Sequence, residues 1–209
     1  IFGYRNLLNL PKIGENQPEE AGAVGEARRI FAQGFPAEAI AITLELLAGF
    51  VLVSMASSLE KITGLLILIP AFLEMRGDIS GSYASRLGTA LHQGIIAPEL
   101  TLSDELKQNL LGTYALALAE SLLIGFAAYA VCLLLGFPNP SLPTIVAISL
   151  LAGVLSSVLM TGLVTASAIF VYSRGLDPDT VLGPYINTMG DVVGMLSLFL
   201  AVLVVGGWL

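Results

Sequence analysis

Residues 69–88 read Ile-Pro-Ala-Phe-Leu-Glu-Met-Arg-Gly-Asp-Ile-Ser-Gly-Ser-Tyr-Ala-Ser-Arg-Leu-Gly, and the organisation of the whole chain follows from them. The stretch continues directly from an apolar run and places Glu74, Arg76 and Asp78 where a membrane-spanning sequence is expected. An acidic residue near the middle of a spanning helix costs roughly 2.5–3.5 kcal/mol, so such residues usually face a bundle interior or a water-filled path. We therefore expect the two acids to face a bundle interior or a water-filled path in a helical membrane protein.

A second stretch repeats this pattern near the C-terminus. Residues 184–194 read Pro-Tyr-Ile-Asn-Thr-Met-Gly-Asp-Val-Val-Gly, and both stretches contain a proline followed by Gly-Asp-x-x-Gly. We call residues 77–81 the first motif and residues 190–194 the second motif. The acid follows its proline by eight residues in the first copy and by seven in the second. The two Gly-Asp pairs are therefore the core of the predicted site.

Helical spacing places the polar side chains of each stretch on one face, because residues three, four and seven apart share a side of an α-helix. The two faces consist of Glu74, Asp78, Gly81, Ser82 and Ser85 in the first stretch and of Pro184, Asn187, Asp191 and Gly194 in the second. Carboxylate, amide and hydroxyl oxygens suit hard cations, and Mg²⁺ gives up its waters reluctantly. The pattern predicts a hydrated divalent cation in a roomy passage, and the lack of nearby Cys or His disfavours a soft-metal site.

The composition excludes several classes of protein. The 209 residues are 56% hydrophobic and only 12% charged, about half the charge of an average globular domain, which indicates an integral membrane protein. A net charge of −7 without any Lys/Arg cluster disfavours a nucleic-acid partner and favours a cationic ligand. The single cysteine, Cys132, lies in an apolar run, so no disulfide framework exists and a packing role is expected.

The hydropathy pattern predicts an all-α integral membrane protein with five transmembrane helices, since about 20 residues are needed to cross the hydrocarbon core. Residues 1–35 form a short cytoplasmic N-terminal segment, and residues 36–209 form the transport domain. Pro70 lies inside the second span and should kink or break that helix. Lys and Arg are concentrated on the side of the N-terminus, which predicts a cytoplasmic N-terminus and a location in the cell membrane. The predicted spans are residues 37–58, 62–91, 109–135, 144–172 and 184–209.

Other residues of the predicted spans leave two interpretations open. Glu45 and Glu120 are each either a protonated, hydrogen-bonded structural acid or part of the site. His92, the single histidine, is expected in a solvated loop. Small residues recur every four positions in the fourth span and predict close helix packing, either within the chain or between subunits. This stripe consists of Gly153, Ser157, Thr161 and Thr165.

A purely structural role must be weighed against a functional one for the aspartates of the two motifs. Asp78 could form an ion pair with Arg76 or Arg86 that only locks the bundle, although Arg76, two residues away, faces elsewhere on the same helix. The last span contains no basic residue that could pair with Asp191. We therefore predict a functional role for both acids and favour it more strongly for Asp191.

Two intramembrane aspartates would also suit an aspartic protease, whose paired carboxylates activate water. Such enzymes usually carry Gly-x-Gly-Asp and Tyr-Asp, whereas Met75 and Thr188 stand two residues before the glycines here and neither aspartate follows a tyrosine. One histidine cannot form the two-histidine helix motif of zinc proteases. We therefore expect no enzyme. A sodium- or proton-coupled carrier of a cation or small solute also uses kinked helices and midplane acids, and it stays open as the alternative.

Residues 70–90, together with residues 177–191, resemble the transmembrane domain of MgtE-type magnesium channels and, more closely, the related solute-carrier magnesium transporters of animals. The first Gly-Asp pair is followed by Ala-Ser-Arg-Leu, and the second motif is preceded by Asp-Pro-x-x-x-x-x-Pro. The likeness covers residues 36–209. It implies a single MgtE-like five-helix domain, paired in a homodimer around a pore between the second and fifth helices. The transported ion would be Mg²⁺ or another divalent cation.

The resemblance also implies a set of cation-binding residues. Asp191, with Asn187 one turn before it, matches the pore-lining position of the last helix, and Gly77-Asp78 matches the family motif of the second helix. We predict Asp191 as the main ligand and Asp78 as the second. The cation is cargo rather than a cofactor, and the expected partners are membrane lipid and a second copy of the chain. The predicted metal-site residues are Asp191, Asp78, Asn187, Glu74, Gly77 and Thr188.

Overall fold

A computed structural model describes residues 19–62, 64–99, 101–137, 141–175 and 178–206, and within these ranges the chain is α-helical with short connections. The predicted all-α class is therefore confirmed. The described helices are α1 (Glu19–Ser54), α2 (Ala56–Lys61), α3 (Gly64–His92), α4 (Asp104–Leu135), α5 (Leu142–Ser173) and α6 (Pro178–Gly206).

The chain divides into two units, residues 1–38 and residues 39–209. In the first unit, the Phe31 and Phe35 rings stack one helical turn apart at 5.1 Å between centroids.

Three helices of the second unit are long and apolar enough to cross a membrane. They are α4, α5 and the Tyr185–Gly206 part of α6, with mean hydropathies of 2.1, 2.2 and 2.2. The Ala39–Ser54 part of α1 is apolar but shorter. α3 contains 29 residues but carries the polar first stretch, so its composition is less apolar. Composition and length thus agree with three of the five predicted spans, and the count of five stays a prediction.

The helix that contains Pro70 is not broken there, whereas the first predicted span is interrupted. α3 is a continuous α-helix from Gly64 to His92 with Pro70 inside it, and a kink at that proline stays a prediction. The first predicted span, residues 37–58, is interrupted because α1 ends at Ser54 and α2 begins after Met55. The Met55 side chain is almost completely buried at this turn, which anchors it in the core.

Capping residues explain where α4 and α5 begin. The Ser103 hydroxyl accepts a hydrogen bond from the Leu106 backbone N–H, and acidic residues follow it in the first turn of α4. Ser141 caps α5 in the same way through the Thr144 N–H. Serine side chains commonly satisfy these free backbone donors, and acids favour the positive end of the helix dipole. α4 therefore starts five residues earlier than the apolar pattern predicted, at Asp104.

The interior contains two hydrophobic clusters. Phe72 of α3 and Leu198 of α6 are fully buried in the first cluster. Leu87 of α3 and Ile186 of α6 belong to the second. Early α3 residues therefore share a cluster with late α6 residues, and late α3 residues with early α6 residues. The two helices run antiparallel, and this direction brings the two motifs to the same depth.

The stripe of small residues in α5 packs within the chain. A Cβ atom at Gly153 would overlap the Ser121 hydroxyl of α4, so the two helices cross closely there. Further along, the hydroxyls of Tyr114 and Thr161 are 2.8 Å apart. The Tyr83 hydroxyl of α3 lies 2.6 Å from that of Thr165. The contacts support the intrachain interpretation of the stripe.

Candidate cation site

A cavity of about 830 Å³ lies where the two motifs meet. α3 provides most of its wall, α6 provides an amide and a carboxylate, and α1 adds one acid. The lining residues are Glu45, Pro70, Leu73, Glu74, Arg76, Gly77, Asp78, Gly81, Ser82, Asn187 and Asp191. The helical faces predicted from the sequence therefore do converge on one space.

Most of the predicted metal-site residues line this cavity. Glu74, Gly77 and Asp78 do so from α3, and Asn187 and Asp191 from α6. Thr188 is different, because its side chain is buried and it is not among the lining residues. It follows Asn187 directly and so projects from another side of α6.

Glu45 is a cavity residue that the sequence left undecided. It lies in the apolar part of α1 and lines the cavity together with the acids of α3 and α6. Its signal in the sequence was a single carboxylate in an otherwise apolar segment. That signal cannot distinguish a site residue from a structural acid, because the face presented by α1 depends on how it packs.

The cavity has a strong excess of negative charge. Four of its lining residues are carboxylates (Glu45, Glu74, Asp78 and Asp191) and one is a guanidinium (Arg76), so four minus one leaves three net negative charges. Among the described residues, no three His, Cys, Asp or Glu side chains stand close enough together to hold one metal ion. The carboxylates are dispersed around a wide space. This arrangement suits a cation that keeps its water shell.

Asp191 has an ion-pair partner that the sequence analysis did not find. The Arg76 guanidinium donates a hydrogen bond from Nη2 to the Asp191 Oδ1 at 2.8 Å, across the α3–α6 contact. The Arg76 side chain is only 4% exposed, whereas that of Asp191 is 33% exposed toward the cavity. The structural alternative raised for Asp78 therefore applies to Asp191 instead. Arg76 was expected to face away from Asp78, but both line the cavity, and Arg76 reaches Asp191 from another helix, which the composition of the last span cannot reveal.

The glycines of the two motifs have different surroundings. A Cβ atom placed on Gly77 or Gly81 of the first motif would meet nothing within 4 Å, and both glycines line the cavity. In the second motif, a Cβ on Gly190 would overlap the Arg76 guanidinium, and one on Gly194 would come within 2.7 Å of Arg76 Nε. The first pair thus widens the cavity, and the second pair makes space for an arginine.

The remaining candidates lie beside the cavity or away from it. Glu120 of α4 is partly buried and close enough to Asp78 for their charges to repel, but it does not line the cavity. Arg86 donates hydrogen bonds to the side chains of Asn109 and Thr113 at 2.9 Å and so joins α3 to α4. His92 ends α3 at the surface, with its ring edge-on to Tyr172. None of these residues lines the described cavity.

Comparison with known proteins identifies the architecture. A family model for MgtE, described as a divalent cation transporter, matches residues 69–201. This range contains both motifs and, apart from Glu45, all the residues that line the cavity.

Animal solute carriers are also similar to the chain. Solute carrier family 41 member 2 from Homo sapiens is 29% identical over 168 residues, which cover 71% of this chain and 28% of the relative. The Xenopus laevis protein of the same name gives the same identity and coverage. The Gallus gallus protein is 28% identical over 145 residues, or 64% of this chain and 24% of the relative. The chain spans about a quarter of the length of these relatives.

The family match and the apolar helices together describe a multi-pass integral membrane protein. The family consists of transporters, in agreement with the expectation that the chain is not an enzyme. The match covers more than half of the chain and includes both motifs. The chain therefore belongs to the MgtE family of divalent cation transporters.

Proposed function

We propose that this chain moves Mg²⁺, or a chemically similar divalent cation, across the cell membrane through a passage lined by Asp78 and Asp191. The observation that carries the proposal is the single cavity on which both Gly-Asp motifs converge. Asp191 is proposed as the main ligand and Asp78 as the second. Asn187 and Glu74 would add oxygen ligands, and Gly77 would keep the path wide.

The charge and the spacing of the acids support a hydrated divalent ion. Three net negative charges in a space of about 830 Å³ attract cations, and a doubly charged ion gains twice the Coulomb energy of a monovalent one at the same distance. Mg²⁺ prefers to keep several waters and to be held through one or two carboxylates. Asp78 and Asp191 would then contact the ion largely through its water shell.

We also propose that the passage lies on the axis of a homodimer. One chain offers dispersed carboxylates, with no group of three ligands within metal-binding reach among the described residues. A twofold axis beside α3 and α6 would double each carboxylate and surround the ion from two sides. Twofold interfaces are the commonest symmetric arrangement of identical chains.

The proposed topology places five spans within a transport domain of residues 36–209 and bends α3 at Pro70. A proline inside a helix removes one backbone hydrogen bond, which favours such a bend. The N-terminus would be cytoplasmic, because short cytoplasmic segments carry an excess of Lys and Arg. On this topology the cytoplasmic side receives Arg5, Lys12, Arg28, Arg29, Arg86, Lys107 and Arg174, and the other side receives Lys61.

Cation flux into proteoliposomes tests the proposed site. Asp191→Asn keeps the shape and an acceptor oxygen but removes one negative charge per chain. We expect Mg²⁺ flux to fall at least ~10-fold, which corresponds to a barrier increase of about 1.4 kcal/mol, and Asp78→Asn to act in the same direction. Asp104→Asn is the matched control, because that carboxylate is exposed and contacts Lys107 at the start of α4. Unchanged flux in Asp191→Asn would refute the assignment.

The same vesicles separate a channel from a sodium- or proton-coupled carrier. Flux through a channel depends on the gradient and charge of the divalent cation alone. A coupled carrier would respond to an imposed sodium or proton gradient at constant membrane potential. Gradient-dependent Mg²⁺ uptake that Asp191→Asn abolishes would favour the carrier while leaving the cation site in place.

A further inference from the structure

We propose that Arg76 is a tethered competitor for the transported cation: its guanidinium occupies Asp191, and a divalent ion must displace it in order to bind that carboxylate. The inference rests on the proposed function, because it assumes that Asp191 binds the cation. In addition to cation binding by Asp191, the site would then contain a residue that controls this binding. Arg76 would set the affinity of the site for cations and exclude monovalent ions.

The first observation is the ion pair itself. Arg76 Nη2 and Asp191 Oδ1 are 2.8 Å apart, and the arginine is almost completely buried while the aspartate faces the cavity. A cation that enters the cavity therefore meets a carboxylate with one oxygen already engaged. Both partners line the cavity, so the competition takes place inside the proposed passage.

The second observation is a space in α6 that is shaped for the guanidinium. The Nη1 and Nη2 groups lie where a side chain of Gly190 would be, and Nε and Cδ lie within 2.8 Å of a Cβ placed on Gly194. A Cβ at Gly194 would also come within 3.1 Å of the Leu73 side chain. Neither glycine can become a larger residue without moving the arginine. The glycines of the second motif are therefore explained by Arg76 and not by the width of the cavity.

The third observation is that the guanidinium is poorly satisfied in this space. Its Nε and Nη1 atoms are buried and have no hydrogen-bond partner in the part of the chain that the structure describes. Buried polar groups in proteins are nearly always paired, and leaving a charged donor unpaired is costly. An arginine that served only to lock the helices would be expected to use more of its donors. Among the described residues a single hydrogen bond therefore holds the guanidinium, and its position depends on one carboxylate.

A displaced guanidinium has other acceptors in the same cavity. Glu45 and Glu74 both line it, and neither belongs to the Gly-Asp motifs. A guanidinium that leaves Asp191 would therefore remain in a space that holds further negative charge.

This exchange predicts ion selectivity. When a monovalent ion replaces the guanidinium at Asp191, one unit charge replaces another, and the electrostatic gain is small. A divalent ion brings twice the charge to the same carboxylates, and the difference in Coulomb energy favours the exchange. Removing the guanidinium would raise the affinity for every cation and relax the preference for divalent ions.

Binding measurements on the purified full chain test the proposal. Mg²⁺ is titrated by calorimetry in detergent, with and without excess Na⁺, for the wild type and for Arg76→Gln. We expect Arg76→Gln to bind Mg²⁺ ~10-fold more tightly or better and to become sensitive to competition by Na⁺. Lys107→Gln is the control, because this lysine is exposed at the start of α4, pairs with Asp104 and does not line the described cavity, so the Mg²⁺ affinity of this variant should not change.

A second variant moves the guanidinium without removing its charge. Gly194→Ala places a methyl group against Arg76 Nε and should free Asp191, raising the Mg²⁺ affinity about threefold or more. It serves as the deciding variant if Arg76→Gln does not fold. Gly112→Ala of α4 is its control, since a Cβ there meets nothing within 4 Å and the residue does not line the cavity.

The outcomes distinguish the two proposals. If Asp191→Asn binds Mg²⁺ weakly while Arg76→Gln and Gly194→Ala bind it no better than the wild type, Arg76 only positions Asp191 and the competitor is refuted, although the cation site stands. If Asp191→Asn binds Mg²⁺ as well as the wild type, the proposed function fails and the competitor fails with it. Tighter binding in both Arg76→Gln and Gly194→Ala supports the competitor.

Discussion

Replacing Asp191 by alanine should destabilise the fold far more than replacing it by asparagine, even without any cation. Asp191 is the only hydrogen-bond partner that Arg76 has among the described residues, at 2.8 Å. Alanine would leave the guanidinium without an acceptor in its buried position beside Gly190 and Gly194, and to reach Glu45 or Glu74 it would have to leave that position. Asparagine would still present a carbonyl oxygen to Nη2, so it would lose the charge but keep the hydrogen bond.

The magnitude follows from the exposure of the two partners. Removing one member of a buried ion pair costs about 3–5 kcal/mol, because the other charge is left uncompensated. The Arg76 side chain is 4% exposed and that of Asp191 is 33% exposed, so cavity water reaches only the acid. We therefore expect Asp191→Ala to cost the lower end of this range, about 3 kcal/mol. Exchanging a charged acceptor for a neutral one should cost about 1 kcal/mol in Asp191→Asn.

Thermal unfolding in detergent with EDTA measures these differences. At about 2–4 °C per kcal/mol for a chain of this size, Asp191→Ala should lower the Tm by roughly 6–12 °C and Asp191→Asn by roughly 2–4 °C. Arg76→Met should cost less than Asp191→Ala, since the aspartate that it leaves behind can be hydrated. The double variant should recover part of the loss, with a coupling of about 2 kcal/mol.

Two results would refute this reasoning. The ion pair would be unimportant for the fold if Asp191→Ala melted within a degree or two of the wild type. The reasoning would also be refuted if the losses of stability in Arg76→Met and Asp191→Ala simply added in the double variant, because residues in direct contact are expected to couple.

Three further predictions concern packing, topology and assembly. Gly153→Val should destabilise the fold by about 1–3 kcal/mol by forcing α4 and α5 apart, whereas Gly162→Ala on the same helix, with nothing within 4 Å of its new Cβ, should change the Tm little. Single cysteines at Leu102 and Phe137 should react with a membrane-impermeant thiol reagent from opposite sides, and labelling from one side would contradict the five-span topology. The active species in nanodiscs should have the mass of a dimer, and a monomer with full Mg²⁺ flux would refute the shared passage.

The sequence by itself determined the class of the protein and the residues of its two motifs. Composition and hydropathy are sufficient for an all-α membrane protein, because a helix that crosses the hydrocarbon core needs a long apolar run. Helical periodicity was sufficient to group Glu74 with Asp78 and Asn187 with Asp191, since residues three or four apart share a face. These are local properties, so no knowledge of the neighbouring helices was required. The grouped residues do line one cavity.

Only the tertiary structure decided what each face meets. The partner of Asp191 lies 115 residues away along the chain, and periodicity cannot tell which helix faces which, or at what depth. The same limit left the stripe around Gly153 open between two kinds of interface, until its contacts with α4 placed it inside the chain. Local sequence sets the rotation of side chains around one helix axis, whereas the pairing of helices depends on close packing across the whole bundle. The second-motif glycines show this difference: a Gly-Asp-x-x-Gly pattern indicates that space is needed, and only the packed helices reveal that Arg76 fills it.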